Sequence, residues 1–130
     1  MKRTYTDLIA AAEAEIETLD VEGMAAAVAD PGTTVVDIRD VREVQRTGTI
    51  PGAIHAPRGM LEFWVDPTSP YHRPEFGEDK KFVFFCAGGW RSALATQAVQ
   101  DMGLEPVAHL GGGFTAWAEA GGEVEERQRR

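Results

Sequence analysis

Apolar positions along the chain fall into two kinds of segment. Continuous runs, rich in β-branched and aromatic residues or bounded by turn residues, predict buried strands over 33–38, 53–56, 81–86 and 105–110. Segments with helical spacing or helix-start signals predict helices over 5–16, 21–29, 41–46, 60–65, 91–102 and 114–120. Because strands and helices alternate, the pattern predicts an α/β fold whose mainly parallel sheet is covered by helices on both faces.

The same pattern divides the chain into three parts. Residues 1–17 are rich in Ala and Glu and predict an N-terminal helical extension, whereas residues 18–122 predict one domain. The polar residues 123–130 are expected to be a frayed tail. Within the domain, the segment 58–77 predicts a helix and then a surface loop, since Pro67, Pro70 and Pro74 prevent the helix from continuing.

Composition and charge narrow the classes of function. A chain of 130 residues with 43% hydrophobic and 26% charged residues is typical of one globular domain. The formal net charge of -8 argues against a nucleic-acid partner, because phosphate binding needs clustered Lys and Arg. No apolar run is long enough for a membrane helix or a signal peptide, so we expect a cytoplasmic protein without a membrane partner.

The single cysteine, Cys86, excludes an internal disulfide and a cysteine-based metal cage. The three histidines, His55, His72 and His109, are scattered without the spacing of metal ligands. These residues therefore predict no metal site. A lone cysteine at the end of an apolar strand is more often a packing residue than a reactive one, so its neighbours must decide the role of Cys86.

Those neighbours predict an anion-binding loop. The sequence Cys86-Ala87-Gly88-Gly89-Trp90-Arg91-Ser92 joins a buried strand to a helix that begins near Arg91. The two glycines allow successive backbone N–H groups to turn inward, and the N-terminus of the helix adds positive potential. A thiol in such a loop favours its nucleophilic thiolate form.

Arg91 strengthens the case for chemistry at this loop. A positive side chain in the first turn of a helix is unfavourable by some tenths of a kcal/mol, roughly 0.3 or more, unless an anion lies nearby. Its guanidinium has a donor fork suited to an oxyanion, so Arg91 either binds the substrate or braces the loop through a carboxylate. The combination favours a reactive Cys86 over a packing residue.

Four ordered motifs then resemble the rhodanese homology domain over roughly residues 19–121. These are Val36-Asp37-Ile38-Arg39 with Glu43, Gly48-Thr49-Ile50-Pro51-Gly52-Ala53-Ile54-His55, the loop 86–92, and Gly112-Gly113-Phe114-Thr115-Ala116-Trp117. The resemblance implies a three-layer sandwich with a five-stranded sheet between helices. Thr49 departs from the family pattern, which often has His there, and this bears on a local structural hydrogen bond.

The resemblance also implies an activity, namely sulfur transfer through a persulfide on Cys86. The donor would be thiosulfate, a glutathione persulfide or a persulfidated relay protein, and the acceptor cyanide or a thiol. Related dual-specificity phosphatases have a loop one residue longer than the six residues from Cys86 to Arg91, so sulfur transfer is favoured. A phosphatase or arsenate reductase, and a non-catalytic or sulfur-relay binding module, remain the alternatives.

The resulting site prediction has three groups of residues. Cys86 is the catalytic residue. The predicted substrate-binding residues are Ala87, Gly88, Gly89, Trp90, Arg91, Ser92 and Arg58. The predicted structural residues beside the site are Asp37, Arg39 and Glu43. Trp90 and Trp64 either wall the pocket or simply pack, and the segment 58–77 is expected to influence which donor and acceptor are used.

Overall fold

A single sheet of five parallel strands forms the centre of the computed structural model, which describes residues 1–127. The spatial order of the strands is β1-β5-β4-β2-β3. Their bounds are β1 Glu17–Leu19, β2 Thr33–Asp37, β3 Ile54–His55, β4 Lys81–Phe85 and β5 Val107–Leu110. The predicted α/β class with a five-stranded parallel sheet is confirmed.

Within residues 1–127, six helices and two short 3₁₀ turns precede, connect or follow the strands. The helices are α1 Tyr5–Glu13, α2 Val21–Ala29, α3 Val41–Thr47, α4 Leu61–Val65, α5 Trp90–Asp101 and α6 Gly113–Glu119, and the 3₁₀ turns are Arg58–Met60 and Pro74–Gly77. Among residues 1–127, none of the helices has the length and apolar character that crossing a bilayer requires.

Side chains cap the N-termini of α2 and α3. Asp20, the predicted cap of α2, accepts a hydrogen bond from the backbone N–H of Gly23 at 2.7 Å. At α3, the side chain of Asp40 accepts from the backbone of the first turn, and the carboxylate of Glu43 accepts from the N–H of Asp40. These bonds satisfy N–H groups that have no partner within the helix, and they fix where α2 and α3 start.

The central strands bury both of their faces, which explains their nearly continuous apolar character. One face of the sheet packs against α4 and α5 through a core whose largest members include Phe82, Phe84 and Leu61. The opposite face packs against α2 and α6 through a second core that includes Phe85 and Trp117. The sheet is therefore enclosed between two helical layers, as the resemblance implied.

The strand β1 was not predicted. It has three residues, two of them exposed and polar, and it pairs with β5 at the edge of the sheet. An edge strand of this length has no periodicity to detect. The helix α1 before it ends at Glu13 and packs on α5, where Ile9, Ala12 and Ile16 bury against Ala93.

The prediction of a frayed C-terminal tail is wrong for residues 123–127. Glu125 and Thr49 exchange two backbone hydrogen bonds of 2.9 and 2.8 Å in an isolated antiparallel bridge. The guanidinium of Arg127 donates to the carbonyl of Ala53 at 2.6 Å, and the indole of Trp117 donates to the carbonyl of Glu123 at 2.8 Å. Polar residues are held here by backbone pairing rather than burial. The remaining part of the predicted tail, 128–130, lies outside the described residues.

The segment 58–77 contains the predicted helix, α4, and then a proline-rich loop. That loop is not wholly on the surface, since the turn Pro74–Gly77 buries Phe76 in the core. The ring of Phe76 stacks on that of Phe82 with centroids 5.5 Å apart. One aromatic side chain thus anchors an otherwise polar loop to the central strand β4.

Candidate active site

Cys86 lies directly after the last residue of β4, a strand with neighbours on both sides of the sheet. The carboxyl ends of parallel strands meet at one edge, so the loops after β2 and β5 flank it. The side chain is 1% exposed and contributes to the core between the sheet and α5. The thiol therefore lies at the base of the loop that leads into α5.

Backbone N–H groups surround the Cys86 sulfur. The N–H groups of Gly89 and Ser92 donate to Sγ at 3.1 and 3.4 Å. Gly89 has a φ of 102° in the left-handed region, which an L side chain rarely adopts, and it forms the N-cap of α5. Since these donors belong to a helix N-terminus, they place positive potential at the sulfur.

Further N–H groups in the loop remain free to bind an anion. Among residues 1–127, the N–H groups of Ala87, Gly88, Trp90 and Arg91 donate to no other protein group. Ala87 is half-buried and the other three residues are exposed, so these backbone donors are accessible to an anion from solvent.

The loop after β5 holds the cysteine loop in place. The N–H of Phe114 donates to the carbonyl of Cys86 at 2.8 Å, and that of Thr115 donates to the carbonyl of Ala87 at 3.0 Å. Gly113 makes this approach possible, because a Cβ at this position would lie 2.5 Å from the carbonyl oxygen of Ala87. The Gly112-Gly113-Phe114 motif therefore supports the cysteine loop directly.

Arg91 binds a carboxylate. Its two terminal nitrogens donate to the two oxygens of Glu43 in α3 at 2.8 and 2.9 Å. This bidentate pair corresponds to the bracing role, one of the two roles that the sequence left open. Hydrogen bonds from Arg91 lower the pKa of Glu43 from 4.5 to about 2. The pKa of Arg91 is raised, chiefly by Glu43 and to a smaller extent by the nearby Cys86.

The Glu43–Arg91 pair predicts a pH dependence of stability. Because the folded-state pKa of Glu43 is about 2 and its ordinary value 4.5, the stabilisation is complete above pH 4.5 and is lost as the pH falls through about 2. The difference in unfolding free energy between wild type and Glu43→Gln should therefore be constant from neutral pH to about pH 5 and shrink below it. Urea unfolding over this range measures it. A difference that keeps its neutral-pH size at the acid end would contradict the prediction.

The predicted structural set of Asp37, Arg39 and Glu43 divides into two pairs. While Glu43 binds Arg91, the buried carboxylate of Asp37 accepts from Nε and Nη2 of Arg39 at 3.0 and 2.8 Å. The guanidinium of Arg39 also lies 4.4 Å from the ring centroid of Phe114. Asp37 and Arg39 thus join the end of β2 to the start of α6 beneath the loop.

Thr49 joins the same cluster. Its hydroxyl donates to Oδ2 of Asp37 at 2.8 Å, and its side chain is buried. The threonine therefore supplies a hydrogen bond at the position where the resembling family often has histidine. The departure from the family pattern leaves the carboxylate of Asp37 fully bonded.

The other predicted residues contact different groups. Arg58 forms an ion pair of 2.7 Å with Glu62 one helical turn later. Trp90 is 60% exposed and its ring lies 4.9 Å from that of Tyr5, so two aromatic rings lie beside the cysteine loop. Trp64 packs on the core and lies under the guanidinium of Arg73.

His109, which contacts Ser92 beside the thiol, was missed as a site residue. The hydroxyl of Ser92, 3.5 Å from the sulfur, also lies 2.9 Å from Nδ1 of His109 in β5. The signal in the sequence was the position of His109 within a buried apolar strand, since a buried imidazole needs polar partners. Which partner it finds depends on packing between β5 and α5.

Comparison with known proteins gives a consistent family. Residues 20–120 match the model of the rhodanese-like domain. The chain is 29% identical over 109 residues to the human thiosulfate:glutathione sulfurtransferase, covering 78% of this chain and 93% of that protein. It is 40% identical over 97 residues to the tRNA uridine(34) hydroxylase of Mesorhizobium japonicum, covering 72% of this chain. That match spans 29% of the hydroxylase.

Among solved structures, a protein of Rhodopseudomonas palustris is similar over nearly its whole length. The TM-score is 0.93 with 53% identity, and the match covers 96% of both chains. That protein is described as one of unknown function and a possible tyrosine phosphatase. The similarity extends through α1, which lies outside the matched range 20–120.

Proposed function

Because this chain belongs to the family of rhodanese-like domains, with residues 20–120 matching the family model, we propose that it is a sulfurtransferase that carries a sulfane sulfur as a persulfide on Cys86. One observation carries the proposal. The sulfur of Cys86 accepts hydrogen bonds from the N–H groups of Gly89 and Ser92. The loop from Cys86 to Arg91 has six residues. Such a loop stabilises negative charge on a sulfur atom without any metal.

The first half-reaction loads the cysteine. The thiolate of Cys86 attacks the outer sulfur of thiosulfate, and a new S–S bond forms. The S–S bond within thiosulfate breaks, and sulfite leaves with the bonding electron pair. The product is a Cys86 persulfide, whose terminal sulfur carries the negative charge. The N–H groups of the loop would stabilise this charge, as an oxyanion hole stabilises a developing alkoxide.

The second half-reaction unloads it. A thiophilic acceptor, cyanide in an assay or a thiolate in the cell, attacks the terminal sulfur of the persulfide. The S–S bond to Cys86 breaks, and the electron pair returns to Sγ as the thiolate. Two successive displacements of this kind give ping-pong kinetics, and neither step requires a metal or an organic cofactor.

The burial of the thiol favours a donor whose transferred sulfur is a terminal atom. Since Cys86 is 1% exposed at the base of its loop, an attacked sulfur must project from the end of the donor. The donor's oxyanion would then lie among the N–H groups of residues 87–91. Arg91 is 43% exposed while it binds Glu43, so its guanidinium braces the loop and also remains accessible to an anionic donor.

Two comparisons bear on the substrates. The human thiosulfate:glutathione sulfurtransferase is matched over 93% of its length, which favours a small thiol as the acceptor. A persulfidated relay protein is the other partner that the loop would accommodate. The proposal leaves out the tRNA substrate of the hydroxylases, since the match spans 29% of the Mesorhizobium enzyme and the net charge of -8 disfavours phosphate binding.

Sulfur uptake and thiocyanate formation test the proposal together. Wild-type protein treated with thiosulfate should gain the mass of one sulfur atom, and a reducing thiol should remove it. In the presence of cyanide the same protein should form thiocyanate. A parallel assay with a phosphate ester examines the phosphatase alternative. Phosphate release without sulfur uptake would overturn the proposal. If the protein shows neither phosphate release nor sulfur uptake, the result would favour a non-catalytic binding module.

A further inference from the structure

A continuous chain of polar side chains leads away from the thiol into the protein. The Cys86 sulfur lies 3.5 Å from Oγ of Ser92, which lies 2.9 Å from Nδ1 of His109. The other ring nitrogen of His109, Nε2, lies 3.1 Å from Oγ1 of Thr18. Three hydrogen bonds therefore connect the end of β4 to the edge strand β1, through α5 and β5.

The exposure of these side chains shows that the hydrogen-bonded series runs from the interior to the surface. Ser92 and His109 are 0% and 1% exposed, whereas Thr18 is exposed at the edge of the sheet. The interior between them is otherwise the apolar core that packs on α5. These hydrogen bonds thus join a buried thiol to solvent at the edge strand of the sheet.

We infer that His109 is a positioning residue that, through Ser92, takes up the thiol proton of Cys86 and delivers it to solvent at Thr18. The inference deepens the proposed function, because it concerns the step that generates the thiolate for sulfur transfer. It rests on the spacing and burial of four side chains on four different elements. Neither the family match nor the loop itself requires it.

The proton transfer balances along the hydrogen bonds. Before transfer, the thiol S–H donates to Oγ of Ser92, the Ser92 hydroxyl donates to Nδ1 of His109, and Nε2–H donates to Thr18. The Cys86 proton then moves to Ser92 as the Ser92 proton moves to Nδ1. The Nε2 proton passes to Oγ1 of Thr18, whose own proton goes to water. Each bond reverses, and one proton leaves the protein.

The product state satisfies every group. The Cys86 thiolate then accepts from the hydroxyl of Ser92 as well as from the N–H groups of Gly89 and Ser92. The hydroxyl of Ser92 accepts from Nδ1–H of His109, and Nε2 accepts from Thr18. His109 ends as the other neutral tautomer. No charge is left on the imidazole, which matters in a buried position.

The surroundings of His109 favour this tautomer exchange over a stable imidazolium. Burial lowers the pKa of His109, and Glu13 of α1 opposes that shift. Its register partners on the neighbouring strands, Thr18 and Phe84, carry no charge, and neither does Ser92 of α5. The charged or titratable groups that face it are therefore Glu13 and, through Ser92, Cys86 itself.

Alkylation of Cys86 by iodoacetamide as a function of pH tests the inference in the intact protein, where it is the only cysteine. His109→Asn keeps a hydrogen-bonding group near Ser92 but cannot exchange tautomers. Iodoacetamide reacts with the thiolate that is present at equilibrium. A variant that cannot direct the Ser92 hydroxyl to the sulfur should therefore react about tenfold more slowly than wild type at about pH 7 and equally fast at about pH 10, where solvent base ionises the thiol in both proteins. A purely structural role predicts either an unchanged profile or a uniform loss at every pH, and both would overturn the inference.

Thr18→Val tests the solvent end of the hydrogen-bonded series. The risk to folding is small, because Thr18 is exposed and valine is isosteric and favours strands. The variant should show the same loss near neutral pH. Thr33→Val is its matched control, a strand threonine at the start of β2 with its hydroxyl bound to Asp30. An equal effect of the two variants would contradict the relay.

Nitrogen chemical shifts of His109 provide a measurement that needs no destabilising variant. In wild type, Nδ1 and Nε2 should exchange their protonation as the Cys86 thiol titrates, with one shared midpoint. In Cys86→Ser the tautomer should stay fixed over the same range. A fixed tautomer in wild type would overturn the inference. None of these measurements uses a sulfur donor, so failure of sulfur uptake would refute the proposed function without deciding the relay.

Discussion

Replacing Cys86 with serine is expected to abolish sulfur uptake from thiosulfate and to slow thiocyanate formation by at least about 10³-fold. The serine hydroxyl is far less acidic than a thiol, so it forms little of the anion that attacks sulfur. It also cannot form a persulfide. Intact-mass analysis after thiosulfate treatment measures the first effect, and the initial rate of thiocyanate formation measures the second.

Folding of the Cys86→Ser protein must be shown separately, because the thiol contributes to the core. A thermal unfolding transition close to that of wild type serves this purpose. Ala118→Ser on the exposed face of α6 is a matched control that adds one serine and leaves the cysteine loop unchanged. Equal sulfur uptake by wild type and Cys86→Ser would show that the sulfur binds to another residue, and it would refute the role of Cys86.

The part of the site that the sequence predicts well is local. The apolar run before Cys86, the two glycines and the helix after them lie within one stretch of chain, so strand, loop and helix could be assigned from pattern alone. Gly89 adopts the left-handed conformation at the point where the loop turns into α5. The N–H donors to the sulfur result from this local geometry.

The contacts that cross between elements could not be predicted in the same way. Glu43 binds Arg91 from 48 residues away, and His109 reaches Ser92 from 17 residues away. Both contacts depend on how α3, α5 and β5 are placed around the sheet. The sequence left the role of Arg91 open for this reason, and His109 appeared as a scattered residue.

Short and polar elements are a third part of the structure, and the sequence did not predict them. The strand β1 and the bridge of Glu125 to Thr49 are stabilised by backbone hydrogen bonds rather than by buried apolar side chains. Hydrophobic periodicity carries no information about such pairs. This accounts both for the missed edge strand and for the wrong expectation of a frayed tail over 123–127.

The largest effect on stability is expected at Asp37. Its carboxylate accepts from the N–H, Nε and Nη2 of Arg39 and from the hydroxyl of Thr49, all within the core. In Asp37→Asn the guanidinium of Arg39 loses its countercharge while it stays buried, and an amide N–H₂ faces its donors. We expect the free energy of unfolding to fall by about 3–5 kcal/mol, the usual cost of breaking a buried ion pair from one side.

Urea unfolding, with the midpoint shifted and the slope unchanged, measures this loss. Two variants calibrate it. Thr49→Val removes one hydrogen bond to the same carboxylate and should cost about 1–2 kcal/mol. Glu78→Gln breaks the exposed pair with Lys80 and should change stability by less than about 0.5 kcal/mol. A loss at Asp37 no larger than at Glu78 would show that Arg39 does not depend on this carboxylate, and that β2 and α6 are joined by their apolar contacts alone.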